Sequence, residues 1–169
     1  CVIISTIIGN ILRGTESVDT LLNMSKDIAI SYDERILEYI DLSNNLSALK
    51  LDELPYIGYT LKALGAGLWA LRQTEFQSSI NAIVLEGGDS DTNASVAGAV
   101  LGAKVGYSGL PSVWLEGLVR KEELMKKVNL LIKKLNIDSS IQESIPKTIV
   151  ENKPSLFHRV KSMMRIKKN

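Results

Sequence analysis

From Ala94 to Gly106 the sequence places a small residue at every fourth position: Ala94, Gly98, Gly102 and Gly106. Residues four apart lie on one face of an α-helix, and each glycine inside a helix costs about 1 kcal/mol relative to alanine. That repeated cost makes sense where another helix must approach the backbone closely. The stretch therefore calls for a helical partner and a core built helix on helix. A GxxxG contact within a membrane would use the same pattern. Lys104 and an apolar length about half that of a bilayer span argue against it.

The rest of the chain supplies partners. "CVIISTIIGNILRG" has apolar residues on every face and ends in Gly14, a suitable helix C-cap. In "DIAISYDERILEYIDLS", Ile28, Tyr32, Ile36, Tyr39 and Ile40 approximate one helical stripe. "NNLSALKLDELPYIGY" is turn-rich, with Pro55 and Gly58 breaking the periodicity. "TLKALGAGLWALRQ" reads as a buried helix and "FQSSINAIVLE" as another, although Ile83-Val84-Leu85 also suits a short strand. "PSVWLEGLV" has Pro111 where a helix takes its first turn. "KEELMKKVNLLIKKLNI" sets Leu124, Val128, Leu131 and Leu135 on one side of an amphipathic helix. Alternating strand patterns are few and no internal repeat occurs. The expected class is all-α.

Composition narrows the function. The hydrophobic share of 45% and charged share of 23% are those of a globular protein, and 169 residues suffice for a real core. Aromatics at 5% make no stacking platform for single-stranded nucleic acid, which is not an expected partner. No run reaches the roughly 18 apolar residues of a membrane span, so no membrane role is expected either. The lone Cys1 has no internal disulfide partner, which fits a reducing compartment or a small truncated chain; the expected location is cytoplasmic. The chain opens inside an apolar run without a basic n-region, so the expectation is a fragment that starts within a helix.

Charge is uneven. Residues 1–118 hold 7 Lys/Arg against 14 Asp/Glu, and residues 119–169 hold 13 against 5. This predicts a domain portion over 1–118 followed by a basic extension over 119–169, helical or disordered. His158 is the single histidine, so neither a histidine triad nor a zinc site is available; it is expected at the surface. Trp69 and Trp114 are expected as core anchors, Cys1 as an ordinary helix residue, and "FHRVKSMMRIKKN" as a solvated terminus.

The chemistry concentrates in "LEGGDSDTNAS". Asp89, Asp91 and Thr92 sit where a loop turns into a helix. Either aspartate would serve as an N-cap, with its neighbour favouring the helix dipole. Capping needs only one such residue, however. Two carboxylates and a hydroxyl within four residues also form a hard oxygen-donor set suited to Mg²⁺, Mn²⁺ or Ca²⁺. Gly87 and Gly88 would let the backbone turn tightly and a ligand approach. An EF-hand loop begun at Asp89 would need Gly and Glu where Ala94 and Val100 stand. An aspartate-nucleophile phosphotransferase would need βαβ alternation around the motif, which is missing.

"GGDSDTNASVAGAVLGAKVGYSGLPSVWLEGL" resembles the C-terminal signature of the ADP-ribosylglycohydrolase family, which includes the dinitrogenase reductase-activating glycohydrolases. That signature runs Gly-Gly-Asp-Thr-Asp-Thr, then a small-residue helix, then Gly-Tyr, Ile-Pro and Trp. "GYTLKALGAGLWAL" resembles the family's upstream Gly-Tyr…Ala-Leu-Trp-Ala helix. The similarity covers about Pro55 to Leu118.

The resemblance implies a multi-helix, Mg²⁺-dependent hydrolase that cleaves the bond between ADP-ribose and a protein side chain or related acceptor. Two Mg²⁺ ions occupy the family's cleft, with Mn²⁺ a possible substitute. Asp89, Asp91 and Thr92 match metal ligands, with Ser90 replacing the commoner Thr. Gly58, Tyr59, Gly87 and Gly88 match substrate-lining positions. The implied partner is an ADP-ribosylated protein or an ADP-ribose-containing small molecule. The family's N-terminal Thr-Asp-Asp and Gly-Asp ligand motifs do not occur here. This chain is therefore expected to be the C-terminal half of such an enzyme, carrying half of the metal site and inactive without the N-terminal half. The alternative is a non-catalytic helical module that binds ADP-ribose or metal.

Overall fold

The apolar opening run folds as α1 (Val2–Leu12), with Ile3, Ile7 and Ile11 buried on one side. The helix stops where Gly14 takes a positive φ of 96°, a conformation open to a residue without Cβ. In this computed structural model, which describes residues 1–15 and 17–134, eight α-helices and two short 3₁₀ turns are present, with no strand among the described residues. Among them no helix is long and apolar enough to cross a membrane. The class is all-α, as the periodicity requires.

Two compact units are formed, one over Cys1–Val105 and one from Gly106 onward. In the first, the stripe from Asp27 to Ser43 is not one helix. It divides into α2 (Val18–Tyr32) and α3 (Arg35–Leu42). The reason is local: Asp33 is extended, with φ −164° and ψ 110°, and its carboxylate accepts the Arg35 backbone N–H at 3.0 Å and the guanidinium at 2.7 Å. That side-chain bond offers the backbone an alternative to the helical ladder. It also holds the Asp33 carboxyl below the usual carboxylate range. Helix α2 starts earlier than the stripe suggests, because the Ser17 hydroxyl accepts the Thr20 N–H at 3.3 Å and caps it.

A 3₁₀ turn at Leu46–Leu49 leads to α4 (Thr60–Leu71), α5 (Phe76–Leu85) and α6 (Ser90–Val105). Helix α4 buries eight of its twelve residues and separates two apolar clusters. One joins Ile7, Leu21, Ile40, Leu68, Leu71 and Val100. The other joins Leu49, Leu51, Ala66, Ala70, Ile83 and Leu101. The Ile83-Val84-Leu85 run is helical, in α5.

Close helix approach is real, but its glycines are mainly those of α4. A Cβ on Gly67 would stand 3.0 Å from both Ile4 Cδ1 and Val96 Cγ1, and one on Gly65 would stand 2.5 Å from Leu49 Cδ2. The fourfold stripe on α6 is looser. A Cβ on Gly98 would meet Ile80 and Phe76 at 3.8 Å, and one on Gly102 would meet Phe76 at 3.7 Å. Those are ordinary contacts with α5, so a methyl group fits. Gly106 lies beyond the helix, at a φ of 70°.

The second unit contains α7 (Ser112–Glu116), with Pro111 at its N-cap, and α8 (Lys121–Lys134). Of the expected α8 stripe, Leu124 and Leu131 are exposed, and Met125 is the buried residue. Trp114 is exposed at 37% and so does not anchor a core, whereas Trp69 packs half-buried against the second cluster. Leu135, His158 and the basic terminal segment lie outside the described residues.

Candidate functional site

The turn between α5 and α6 carries the acidic motif, and its shape follows from two glycines. Gly87 and Gly88 adopt positive φ of 77° and 67°, a region L-residues rarely enter. Gly88 also lies against the backbone of Leu51: a Cβ there would overlap the Leu51 carbonyl oxygen and stand 3.1 Å from the Asp52 Cα. The segment it abuts is held from beneath by Lys62. This lysine is 3% exposed; its ammonium donates to the carbonyl of Lys50 and, at 3.4 Å, to that of Glu53. The Glu53 carboxylate lies 3.8 Å away, so the buried charge is paired, as burial requires. Nothing in the helical spacing of Lys62 marks it as an anchor.

Asp89 precedes α6, and its carbonyl accepts the Asn93 N–H at 3.0 Å as the first helical bond. Asp91 and Thr92 occupy the first turn, where negative charge is favoured by the helix dipole. The Asp91 carboxylate accepts the Thr92 N–H at 2.9 Å. The neighbouring Asp89 side chain, first, and the Thr92 N–H hold the Asp91 carboxyl below the usual range. All three expected donors are therefore brought together at one helix N-terminus.

They are not all equally enclosed. A cavity of about 470 Å³ in the first unit is lined by Asp89, Thr92 and Asn93 from the start of α6, and by Gly58, Tyr59 and Thr60 from the start of α4. Ile4, Ile28 and Ile36 give it an apolar wall. Asp91 is exposed to solvent beside it. Gly87 and Gly88 do not line the cavity; they shape the turn. Gly58 faces Asp89, since a Cβ there would come 4.0 Å from Asp89 Oδ2. Tyr59 is braced edge-on by Tyr39, with ring centroids 5.8 Å apart, and burial pushes the Tyr39 hydroxyl up.

Chemically, the cluster is an all-oxygen donor set beside an apolar cavity. Two carboxyl groups one residue apart in the chain repel when both are ionised, and a hard divalent cation beside them relieves that repulsion. The donors present therefore fit Mg²⁺ or Mn²⁺ in kind. They are few in number: no group of three or more His, Cys, Asp or Glu side chains that would hold a metal ion occurs among the described residues.

One further polar residue lines the cavity without any sequence signal. Asn93 is 1% exposed, and its side-chain Nδ2 has no hydrogen-bond partner.

The sequence profile of the ADP-ribosylglycohydrolase family matches residues 1–142. Among curated relatives, an ADP-ribosylarginine hydrolase Tri1 from Serratia proteamaculans is 37% identical over 76 residues, 44% of this chain and 21% of its own. An uncharacterised protein of Archaeoglobus fulgidus is 34% identical over 116 residues, 68% of this chain and 34% of its own. The Pseudomonas putida ADP-ribosylarginine hydrolase Tri1 is 32% identical over 76 residues, 44% of this chain and 20% of its own. The chain thus spans between a fifth and a third of the length of these relatives. No solved structure matches it.

Proposed function

The chain belongs to the ADP-ribosylglycohydrolase family, and from that premise we propose that it contributes the α6-side half of a Mg²⁺-dependent site that hydrolyses ADP-ribosyl bonds. The observation that carries this is the joining of Asp89, Asp91 and Thr92 at one helix N-terminus, two of them lining the same cavity as Gly58 and Tyr59. Asp89, Asp91 and Thr92 would hold the metal, and Gly58 and Tyr59 would border the substrate. Gly87 and Gly88 serve the substrate indirectly, by shaping the turn that presents Asp89. Bound Mg²⁺ would supply charge to orient ribose hydroxyls and a water of lowered pKa.

The number of donors sets the limits of this half. Mg²⁺ takes near-octahedral oxygen coordination and keeps several waters. Two carboxylates and a hydroxyl hold one ion weakly and do not fix a pair. Mn²⁺ would substitute on the same oxygens. The same count favours a second reading, a non-catalytic module that binds ADP-ribose or metal.

Because two of the relatives are named for an arginine linkage, ADP-ribosylarginine protein is the first substrate to assay. Residues 1–169 alone are expected to bind one Mg²⁺ and ADP-ribose weakly, and to release no ADP-ribose. Robust Mg²⁺-dependent release by this chain would contradict the half-site. Absence of any Mg²⁺ or ADP-ribose binding would contradict the metal and ligand assignments.

A further inference from the structure

Lys62 is a buried charge on the first turn of α4, a helix whose other buried residues are alanine, glycine and leucine. Burying a charge is costly unless it is paired. Its ionic partner is a poor one, because the Glu53 carboxylate is 3.8 Å away and half-exposed. The closer partners are backbone, the carbonyls of Lys50 and Glu53. Those two carbonyls are also the acceptors of successive turns. The Glu53 N–H donates to Lys50 at 3.1 Å, the Tyr56 N–H to Glu53 at 3.0 Å and the Tyr59 N–H to Tyr56 at 3.1 Å. A carbonyl has two lone pairs, so each takes both its turn bond and the ammonium. One lysine thereby grips a run of turns that begins beside Gly88 and ends at the Gly58–Tyr59 wall of the cavity. Lys50, at the head of the run, holds a φ of 46°, and strain of that kind persists only where the surroundings over-determine it.

We propose that Lys62 is a positioning residue that sets the two walls of the candidate site against each other, the Gly88–Asp89 turn on one side and Gly58–Tyr59 on the other. This rests on the family reading of the site. On the first side, the gripped segment backs the acidic turn, since the Leu51 carbonyl oxygen occupies the place a Gly88 Cβ would take. On the second, Tyr59 is tied to Lys62 itself, whose backbone N–H donates to the Tyr59 carbonyl at 2.8 Å. The walls stand close, with Asp89 Oδ2 4.0 Å from where a Gly58 Cβ would lie. Binding constellations work only when held to within about 0.5 Å by the residues that support them. Lys62 does not line the cavity, so it acts through the backbone it holds. An apolar side chain would fill the space of its stem and leave both carbonyls without their second donor. The segment would then loosen against Gly88 and at Gly58 together.

The test uses the 169-residue chain as wild type, Lys62→Met, Lys62→Gln and Lys104→Met, with metal-free ¹⁵N spectra, thermal melts and calorimetric titration of MgCl₂. Methionine fills the space of the lysine stem without its donors, and glutamine keeps a shorter donor. Lys104 is the control. Its ammonium also holds two carbonyls, those of Leu71 and Gln73 at 2.8 and 2.7 Å, but about 21 Å along α6 from Ser90. Without metal, Lys62→Met should shift the amide signals of both Gly58 and Gly88 while those of Leu21 and Ile40 stay in place. It should bind Mg²⁺ about tenfold more weakly, and Lys62→Gln should move the same signals by less. Lys104→Met should lower the melting temperature and leave both glycine signals and Mg²⁺ affinity unchanged. Wild-type glycine signals and Mg²⁺ affinity in whichever Lys62 variant folds would overturn the inference and leave the family reading standing. A shift confined to one wall would overturn it too, as would an equal loss of Mg²⁺ affinity in Lys104→Met, which would trace the effect to stability alone. Failure of Mg²⁺ to bind wild type would overturn the reading of the site and this inference together.

Discussion

Gly88→Ala is expected to destabilise the first unit by roughly 2–5 kcal/mol, through left-handed strain of about 1–2 kcal/mol and overpacking of about 1–3 kcal/mol. Both contributions are visible in the structure. Gly88 sits at a φ of 67°, and an added methyl would overlap the Leu51 carbonyl oxygen. The backbone of Leu51 cannot step aside freely, because buried Lys62 holds the carbonyls on either side of it, those of Lys50 and Glu53. Leu51 itself is fully buried. Gly87→Ala is the control. Its φ of 77° is similar, but a Cβ there meets nothing nearer than the Asp52 Cβ at 3.7 Å, so only the strain applies. Denaturant titration of both variants checks this. Equal losses for the two would mean that the Gly88–Leu51 contact does not constrain the turn.

Asp91→Ala should abolish most Mg²⁺ binding, by about tenfold or more, with little change in melting temperature. The side chain is exposed and contributes nothing to either apolar cluster. Its proposed role is electrostatic: it shares the α6 N-terminus with Asp89 and accepts the Thr92 N–H. Removing it leaves one carboxylate and one hydroxyl, too few hard donors to displace water from the ion. Calorimetric titration of MgCl₂ into the variant reads the effect. Unchanged affinity would remove Asp91 from the proposed ligand set, and a collapse in melting temperature would make it a structural residue instead.

The helical class was legible because apolar residues recur at helical spacing through α2 and α3 and small residues do so along α6. The acidic turn was legible for a different reason: Gly-Gly-Asp-x-Asp-Thr concentrates charge and backbone freedom within six residues. Periodicity alone missed the break at Asp33, where a side-chain bond to Arg35 competes with a helix that the apolar stripe would otherwise continue. It also placed the tight helix contact on the wrong glycines. Gly98 and Gly102 form the more regular pattern, but Gly65 and Gly67 meet neighbours closest, because α4 is enclosed on most sides. Spacing shows which residues share a face and is silent on how near the facing atoms come. Lys62 and Asn93 were illegible for a related reason. A lysine and an asparagine are ordinary on exposed helix faces, and only their burial gives them meaning.

In the proposed site, the Asp89–Thr92 turn and the Gly58–Tyr59 segment border one bound cation. Titrating Mn²⁺ into the ¹⁵N-labelled chain tests it most directly, since a bound paramagnetic ion broadens the amide signals nearest to it. Mg²⁺-competed broadening is expected to be strongest at Gly58, Tyr59 and Asp89 to Asn93 and to weaken away from them. Broadening that is absent, uniform, or centred on another acidic segment such as Asp52-Glu53 would contradict it.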